Sequence, residues 1–103
     1  SDISLLNPRE SLPPAVPKDQ IYLTTMGIDT PFDEIGFVHV STTMRMGYAA
    51  LNNKLRLEAG AVGADAVIYV TYGVENAFSL IPFFVSIPYD VLVAEGIAVR
   101  RKQ

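Results

Sequence analysis

The side chains able to do chemistry are few in this sequence, and they are concentrated around its single histidine. The chain contains one histidine, His39, and no cysteine. Shortly before it come Asp29, Asp33 and Glu34, which form with His39 the one conceivable cluster of nitrogen and oxygen ligands. Transition-metal sites need several such ligands converging on one point. We therefore expect no metal site within one chain, and His39 is a candidate metal ligand only where copies of it meet on a symmetry axis.

Nucleophilic catalysis is not predicted either. Ser41 lies two residues beyond His39, so a strand would place both on one face, but the sequence specifies no third group to orient the histidine. Neither Gly27 nor Gly36 belongs to a Walker or Rossmann phosphate-binding pattern. We expect a protein that is not an enzyme and that carries no cofactor.

Two other carboxylates have structural interpretations. Asp65 follows Gly63 and Ala64 in a Gly-Ala-Asp-Ala segment, where an aspartate accepts backbone N–H bonds in a turn. A functional acid is the less favoured alternative for Asp65. Glu95 interrupts an apolar strand pattern, and either pairs with an arginine across an interface or lines a polar channel.

Hydrophobic periodicity predicts the elements that carry these side chains. From Tyr48 to Val62 the larger apolar residues recur at the spacing of one helical face, and Gly63 is the expected left-handed cap. Strands are predicted over 20–26, 35–43, 66–72 and 90–100. The sequence therefore predicts a two-layer α+β domain of β-β-α-β-β order, with one helix on a mostly antiparallel sheet.

Length and proline content indicate one domain behind an arm. A chain of 103 residues fits a single domain. Residues 1–18 hold four of the seven prolines, so this segment is neither an ordinary helix nor a central strand. We predict a proline-rich arm or linker over 1–18 and a single domain over 19–103. Such an arm also suits an exported lipoprotein, but the sequence holds no cysteine to carry the lipid.

Both faces of the last predicted strand are apolar, although one helix covers only one face of a sheet. The small residues Ala94, Gly96 and Ala98 allow the helix to approach one face closely. We expect copies of the chain to cover the other face, because charged residues are 18% of the sequence against about 25% in an average soluble domain. The predicted interface comprises Val67, Tyr69, Val91, Val93, Ile97 and Val99 on the sheet, and Phe78, Phe83 and Phe84 in an apolar loop over 75–88.

Charge and hydropathy limit the other partners. The formal net charge is −3, whereas binding to nucleic acid needs clustered Lys and Arg. The basic cluster over 100–102 is expected to be a solvated tail, so we predict no nucleic-acid partner. No apolar run reaches the roughly 18 residues that a membrane-spanning helix needs. A peripheral contact of the aromatic loop with a membrane or an envelope protein is an alternative to a subunit contact.

A family resemblance is carried by residues 61–68, Ala61-Val62-Gly63-Ala64-Asp65-Ala66-Val67-Ile68. With strands before its helix and a strand after it, this segment resembles the YbjQ-like domain family, often labelled heavy-metal-binding, and more distantly RcsF-type outer-membrane lipoproteins. The resemblance covers residues 21–101. It implies an α+β fold of strands and one helix, and ring-like homo-oligomers, pentamers among them. The helix here is shorter than in that family, and the apolar loop over 77–87 replaces a more polar hairpin.

Three functional interpretations are compatible with these observations. The first is a non-catalytic, oligomer-forming domain with no assigned activity. The second is an envelope lipoprotein that acts in sensing or scaffolding. The third is a domain that binds a metal or small ligand at a subunit interface. The expected location is the cytoplasm or, where a lipoprotein signal has been removed, the cell envelope.

Overall fold

A computed structural model describes the backbone of residues 2–5, 14–81 and 85–102, and the side chains of residues 14–75 and 90–102. Its elements in chain order are β1 (Asp2–Leu5), β2 (Tyr22–Leu23), β3 (Phe32–Thr43), α1 (Gly47–Ala61), β4 (Ala66–Ile81) and β5 (Val85–Arg101). Short 3-10 turns over Lys18–Gln20 and Met44–Met46 precede β2 and α1. The predicted α+β class, with one helix on a sheet, is confirmed for the described part of the chain.

The strands of the described residues form a mixed sheet in the order β1-β3-β5-β4-β2. Neighbours from β1 to β4 are antiparallel, whereas the short β2 runs parallel to β4. The predicted arm contributes β1, which pairs with Gly36–His39 of β3 at the edge of the sheet. An edge position suits a strand that is followed by prolines. The division between an arm over 1–18 and a domain over 19–103 stays a prediction.

Helix α1 covers one face of the sheet and supplies much of its core. Leu51, Leu55 and Ala59 are fully buried at i, i+4 and i+8 spacing. They form one hydrophobic cluster with residues of the predicted small-residue face of β5, namely Leu92, Ala94 and Ala98. Tyr48 was expected on this buried helical face, but it is half exposed and packs edge-to-face on Tyr72, with ring centroids 5.5 Å apart.

The helix ends in a Schellman motif. Gly63 has φ 86°, the left-handed conformation that glycine adopts without a steric penalty. The Ala64 N–H donates to the Ala59 carbonyl at 3.0 Å, and the Gly63 N–H donates to the Gly60 carbonyl at 3.0 Å. These bonds satisfy carbonyls that the last turn would leave unpaired.

Strands β4 and β5 form a hairpin that runs past the rest of the sheet. Their register extends from Ala66 opposite Val99 to Ile81 opposite Val85, whereas β3 accompanies β5 only to the pair of Thr43 and Val91. Residues 76–81 and 85–90 therefore form a two-stranded ribbon. We call this segment the ribbon. The principal-axis extents of the structure are 56 × 28 × 19 Å.

The predicted loop over 75–88 is wrong for residues 75–81 and 85–88, which are paired in β4 and β5, because Pro88 does not prevent strand pairing. The Asp65 N–H donates to the Val99 carbonyl at 3.0 Å, so odd-numbered residues of β5 direct their backbone groups toward β4. Pro88 is even-numbered and pairs in register with Phe78. Its nitrogen therefore faces away from β4, at a position where proline removes no hydrogen bond of the hairpin. Pro82 lies outside the described residues.

A β-bulge in β4 changes which side chains share a face. The register with β5 shifts between Ile68 and Thr71, and Tyr69 between them has φ 53°, which is rare for a bulky residue. The Tyr69 N–H donates to the Met26 carbonyl at 3.1 Å, and the Val70 N–H donates to the Thr24 carbonyl at 3.0 Å. The segment before β3 thus holds the bulge in place.

Candidate functional site

The sheet face opposite α1, which we call the open face, is sealed by the chain itself at one end. Ala66, Ile68 and Val99 are buried there in a second hydrophobic cluster. Ile28, in the segment before β3, and Phe32, at the start of β3, pack against them. Val99 was predicted to lie in a subunit interface, but it is fully buried within its own chain. The reason is that the residues around Ile28 and Phe32 fold back over this end of the sheet.

Val67, also predicted on the open face, lies on the opposite side of the sheet. It is fully buried in the cluster beneath α1. Its register partner on β5 is Ala98, and paired residues of antiparallel strands point to the same face. Burial of Ala98 under the helix therefore requires burial of Val67 there too. The prediction fails because an isolated strand pattern does not reveal its register.

The remainder of the open face forms a shallow groove of about 380 Å³. Its apolar walls include Phe37 on β3, Tyr69 at the bulge and Ile97 on β5. Phe37 is 56% exposed and Tyr69 is 55% exposed, whereas Ile97 is partly buried. Exposed large apolar side chains lining one groove are typical of a contact surface.

The valines predicted on this face continue it toward the ribbon. Val91 and Val93 are partly buried, and they pair with Glu75 and Gly73 of β4. Phe78 belongs to β4 and is paired with Pro88, but its side chain lies outside the described residues. Phe83 and Phe84 lie outside the described residues altogether.

A polar row crosses the open face at one end of the groove. His39 and Glu95 are directly opposite each other on β3 and β5, and Thr71 follows on β4. His39 is half-buried and Glu95 is exposed. Ser41 is paired with Val93 rather than with a polar residue. The row can donate and accept hydrogen bonds at the rim of an otherwise apolar surface.

The acidic residues predicted beside His39 do not gather around it. Within residues 14–75 and 90–102, no group of three His, Asp or Glu side chains has a geometry that could hold a metal ion. Asp33 instead lies with its Oδ1 3.3 Å from Lys102 Nζ. Metal binding where copies of His39 meet stays a prediction.

Asp65 joins the turn after α1 to the last strand. Its Oδ1 accepts the Arg101 backbone N–H at 2.9 Å and lies 3.4 Å from Arg101 Nε. Its carbonyl accepts the Tyr22 N–H at 3.0 Å, and the Arg101 guanidinium lies 5.9 Å from the centroid of the Tyr22 ring. Asp65 thus accepts a backbone N–H, but the donor is on β5 rather than in its own turn.

The outer edge of β4 beyond the bulge is a feature that the sequence analysis missed. β2 pairs with Ala66 and Val67, and the segment after β2 reaches Val70 through Thr24. From residue 71 to residue 81 no other strand of the described chain lies beside this edge. We call it the free edge of β4. The run of β-branched and aromatic residues over 66–81 was the available signal, and the prolines beyond it masked that signal.

The fold is similar to that of a solved protein. The neighbour is a protein of unknown function from Pediococcus pentosaceus ATCC 25745 that belongs to the DUF74 family. The two structures superpose with a TM-score of 0.61 at 14% sequence identity, over 80% of this chain and 98% of that chain. DUF74 is the YbjQ-like family that the sequence resembles. At this identity the likeness shows the fold alone.

The other comparisons give no relative. No protein-family model matches the chain, and no curated protein matches it. Among the described residues, no helix combines the length and apolar character needed to cross a membrane.

Proposed function

We propose that this chain is a non-catalytic domain that self-associates, with the open face as its interface. The observation that carries the proposal is the exposure of Phe37 and Tyr69 in one groove of a sheet face that α1 does not cover. A soluble domain rarely leaves contiguous apolar surface of this kind in water. The resemblance to a family of homo-oligomers points in the same direction.

Burial energies show how much of the face must take part. Fully burying an exposed large apolar side chain stabilises a complex by about 1.5–3 kcal/mol. Phe37 and Tyr69 are 56% and 55% exposed, so each contributes roughly half of that. Association costs roughly 4–15 kcal/mol in lost freedom of motion. The two aromatic side chains therefore serve as anchors, and the flanking Val93 and Ile97 must be buried with them.

The absence of catalysis is part of the same proposal. General acid–base chemistry is strongest where water is excluded, whereas His39 is only half-buried and Glu95 is exposed at the rim of the groove. Ser41 has Val93 opposite it rather than an orienting polar group. These residues suit the polar rim of an interface better than a reaction centre.

The test is the mass of the protein in solution, measured by sedimentation over a range of micromolar concentrations. We expect a species several times heavier than the 11.2 kDa chain. Phe37→Thr introduces a β-branched residue that suits a strand and removes the aromatic anchor, so it should lower the mass. Leu57→Thr is the matched control, because Leu57 is 58% exposed on α1 and lies outside the groove.

Two results would contradict the proposal. One is a monomeric wild-type chain at every concentration. The other is an equal effect of Phe37→Thr and Leu57→Thr, which would mean that general surface hydrophobicity and not the open face controls the mass. Circular dichroism of each variant establishes that the fold is retained.

A further inference from the structure

We infer that the free edge of β4 is a strand-addition site for a second copy of this chain, pairing antiparallel with the partner's β4 about a two-fold axis at Asn76. The inference rests on the proposed self-association, but it uses a different surface. The open face contributes side chains to an interface, whereas the free edge contributes backbone N–H and C=O groups.

The register identifies which backbone groups are available. Odd-numbered residues of β5 direct their hydrogen bonds toward β4, as the bond from the Asp65 N–H to the Val99 carbonyl shows. Thr71 pairs with the odd-numbered Glu95, so its backbone groups point inward to β5. Alternation then directs the N–H and C=O of Tyr72, Val74 and each second residue to residue 80 outward along the free edge.

Within the described residues, the free edge of β4 carries few of the devices that usually protect an edge strand. Natural sheets shorten their edges, charge them or interrupt them with proline. β1 and β2 are short edges, of four and two residues. The free edge of β4 spans residues 71–81 with no proline and with Glu75 as its charged residue. Tyr72 and Val74 are 41% and 53% exposed beside it.

The ribbon, which extends β4 and β5 beyond the rest of the sheet, would gain stability from a partner strand. An isolated two-stranded hairpin is marginally stable in water, and three or more strands are needed for independent stability. Within the described residues the chain supplies no third strand there, because β3 ends at Thr43 and β2 ends at Leu23. Pairing of two ribbons along their β4 edges produces four adjacent strands.

The position of the two-fold axis follows from the length of the free edge and from the charge of Glu75. The midpoint of the free edge is Asn76, so an axis there pairs its whole length, from Thr71 opposite the partner's Ile81 onward. That register sets Glu75 opposite the partner's Ala77. An axis at Glu75 would instead place two carboxylates directly opposite each other, which is destabilising. The axis at Asn76 is therefore the one that pairs the whole free edge and keeps the two Glu75 carboxylates from facing each other.

Disulfide cross-linking tests the inference, because the wild-type chain has no cysteine. Directly paired residues of an antiparallel ladder have Cα atoms about 5.5 Å apart where both residues exchange hydrogen bonds, and this is within disulfide range. We expect Asn76→Cys to form a covalent dimer under mild oxidation. Asn53→Cys, at an exposed position of α1, is the matched control and should not.

A second pair of variants keeps the test independent of the cysteine chemistry. Val74→Pro removes an outward N–H without removing a bond to β5, so the hairpin folds while the edge is blocked. We expect it to abolish cross-linking when combined with Asn76→Cys, and to lower the mass of the cysteine-free chain. Val74→Thr keeps the N–H, so it should change neither the cross-linking through Asn76→Cys nor the mass of the cysteine-free chain.

The outcomes separate this inference from the proposed function. If Phe37→Thr lowers the mass while Val74→Pro does not, and Asn76→Cys cross-links no faster than Asn53→Cys, the edge inference is overturned and the open-face proposal stands. If Val74→Pro lowers the mass while Phe37→Thr does not, the edge inference stands and the open-face interface is wrong. A monomeric wild-type chain overturns both.

Discussion

Gly60 is the position where we expect a single methyl group to report on the docking of the N-terminal arm. It is buried in the last turn of α1, and its carbonyl accepts the Val16 N–H at 2.8 Å. A Cβ built on Gly60 would overlap the Val16 carbonyl oxygen and approach Ile21 Cδ1 to 2.7 Å. The first contact is with backbone, so no change of rotamer relieves it. We therefore expect Gly60→Ala to push the arm away from the helix.

The change in the free energy of unfolding caused by Gly60→Ala is the balance of opposing effects. Alanine is favoured over glycine in a helix interior by about 1 kcal/mol, and the gain is smaller in the last turn. Moving the arm loses the hydrogen bond to Gly60, about 1 kcal/mol net, and much of the packing of the partly buried Val16, of the order of 1 kcal/mol. Overpacking against Ile21 adds a further penalty. The expected result is a net loss of about 1–2 kcal/mol in the free energy of unfolding.

Urea unfolding at one fixed protein concentration measures this change, and a fixed concentration holds any self-association constant. Gly73→Ala is the matched control, because a Cβ there meets Val93 Cγ2 at an ordinary 3.4 Å. The same substitution at Gly60 in a chain beginning at Lys18 should lose most of its penalty. The reasoning is refuted if Gly60→Ala is neutral or stabilising in the full chain, or if its penalty is the same without the arm.

Three further predictions concern the core and the turn after the helix, each measured by urea unfolding. Leu55→Ala should cost about 2–5 kcal/mol, because Leu55 is fully buried on the side of α1 that packs on the sheet; a cost near zero would mean that the helix is not packed as described. Asp65→Ala should cost about 1–2 kcal/mol while Asp65→Asn costs less than half of that, since asparagine keeps an acceptor for the Arg101 N–H; equal costs would assign the effect to charge. Gly63→Ala should cost about 1–2 kcal/mol, because the residue has φ 86°; an unchanged stability would contradict that backbone conformation.

Helix α1 could be predicted because its signals are local. Apolar spacing located its buried face, and Gly63 marked its end. The Schellman bonds of Ala64 and Gly63 lie within one turn of the residues that encode them. Tyr48 was misassigned because its position continues the apolar stripe, whereas the sheet beneath it offers Tyr72 as a partner at the rim. Only the sheet could reveal that partner.

The ribbon could not be predicted from composition, because proline is a poor guide at the edge of a hairpin. Its effect depends on whether the missing N–H would face the partner strand. Pro88 falls on the side away from β4, by the same alternation that directs the Val99 carbonyl toward it. That parity is fixed by strand register, which depends on contacts distant in sequence. The free edge of β4 could not be predicted for the same reason, because the sequence does not show which strands lie beside β4.

The composition of the open face depends on the bulge, and therefore on residues far from it in sequence. Val67 lies beneath α1, so simple alternation would place Tyr69 beneath the helix and Val70 on the open face. The structure has the reverse arrangement, with Val70 buried in the helix-side core and Tyr69 exposed in the groove. Hydrogen bonds from Tyr69 to Met26 and from Val70 to Thr24 hold that arrangement. The segment before β3 therefore positions the Tyr69 side chain in the groove. Substitutions that loosen this segment should weaken the proposed interface even though they change none of the residues that line the groove.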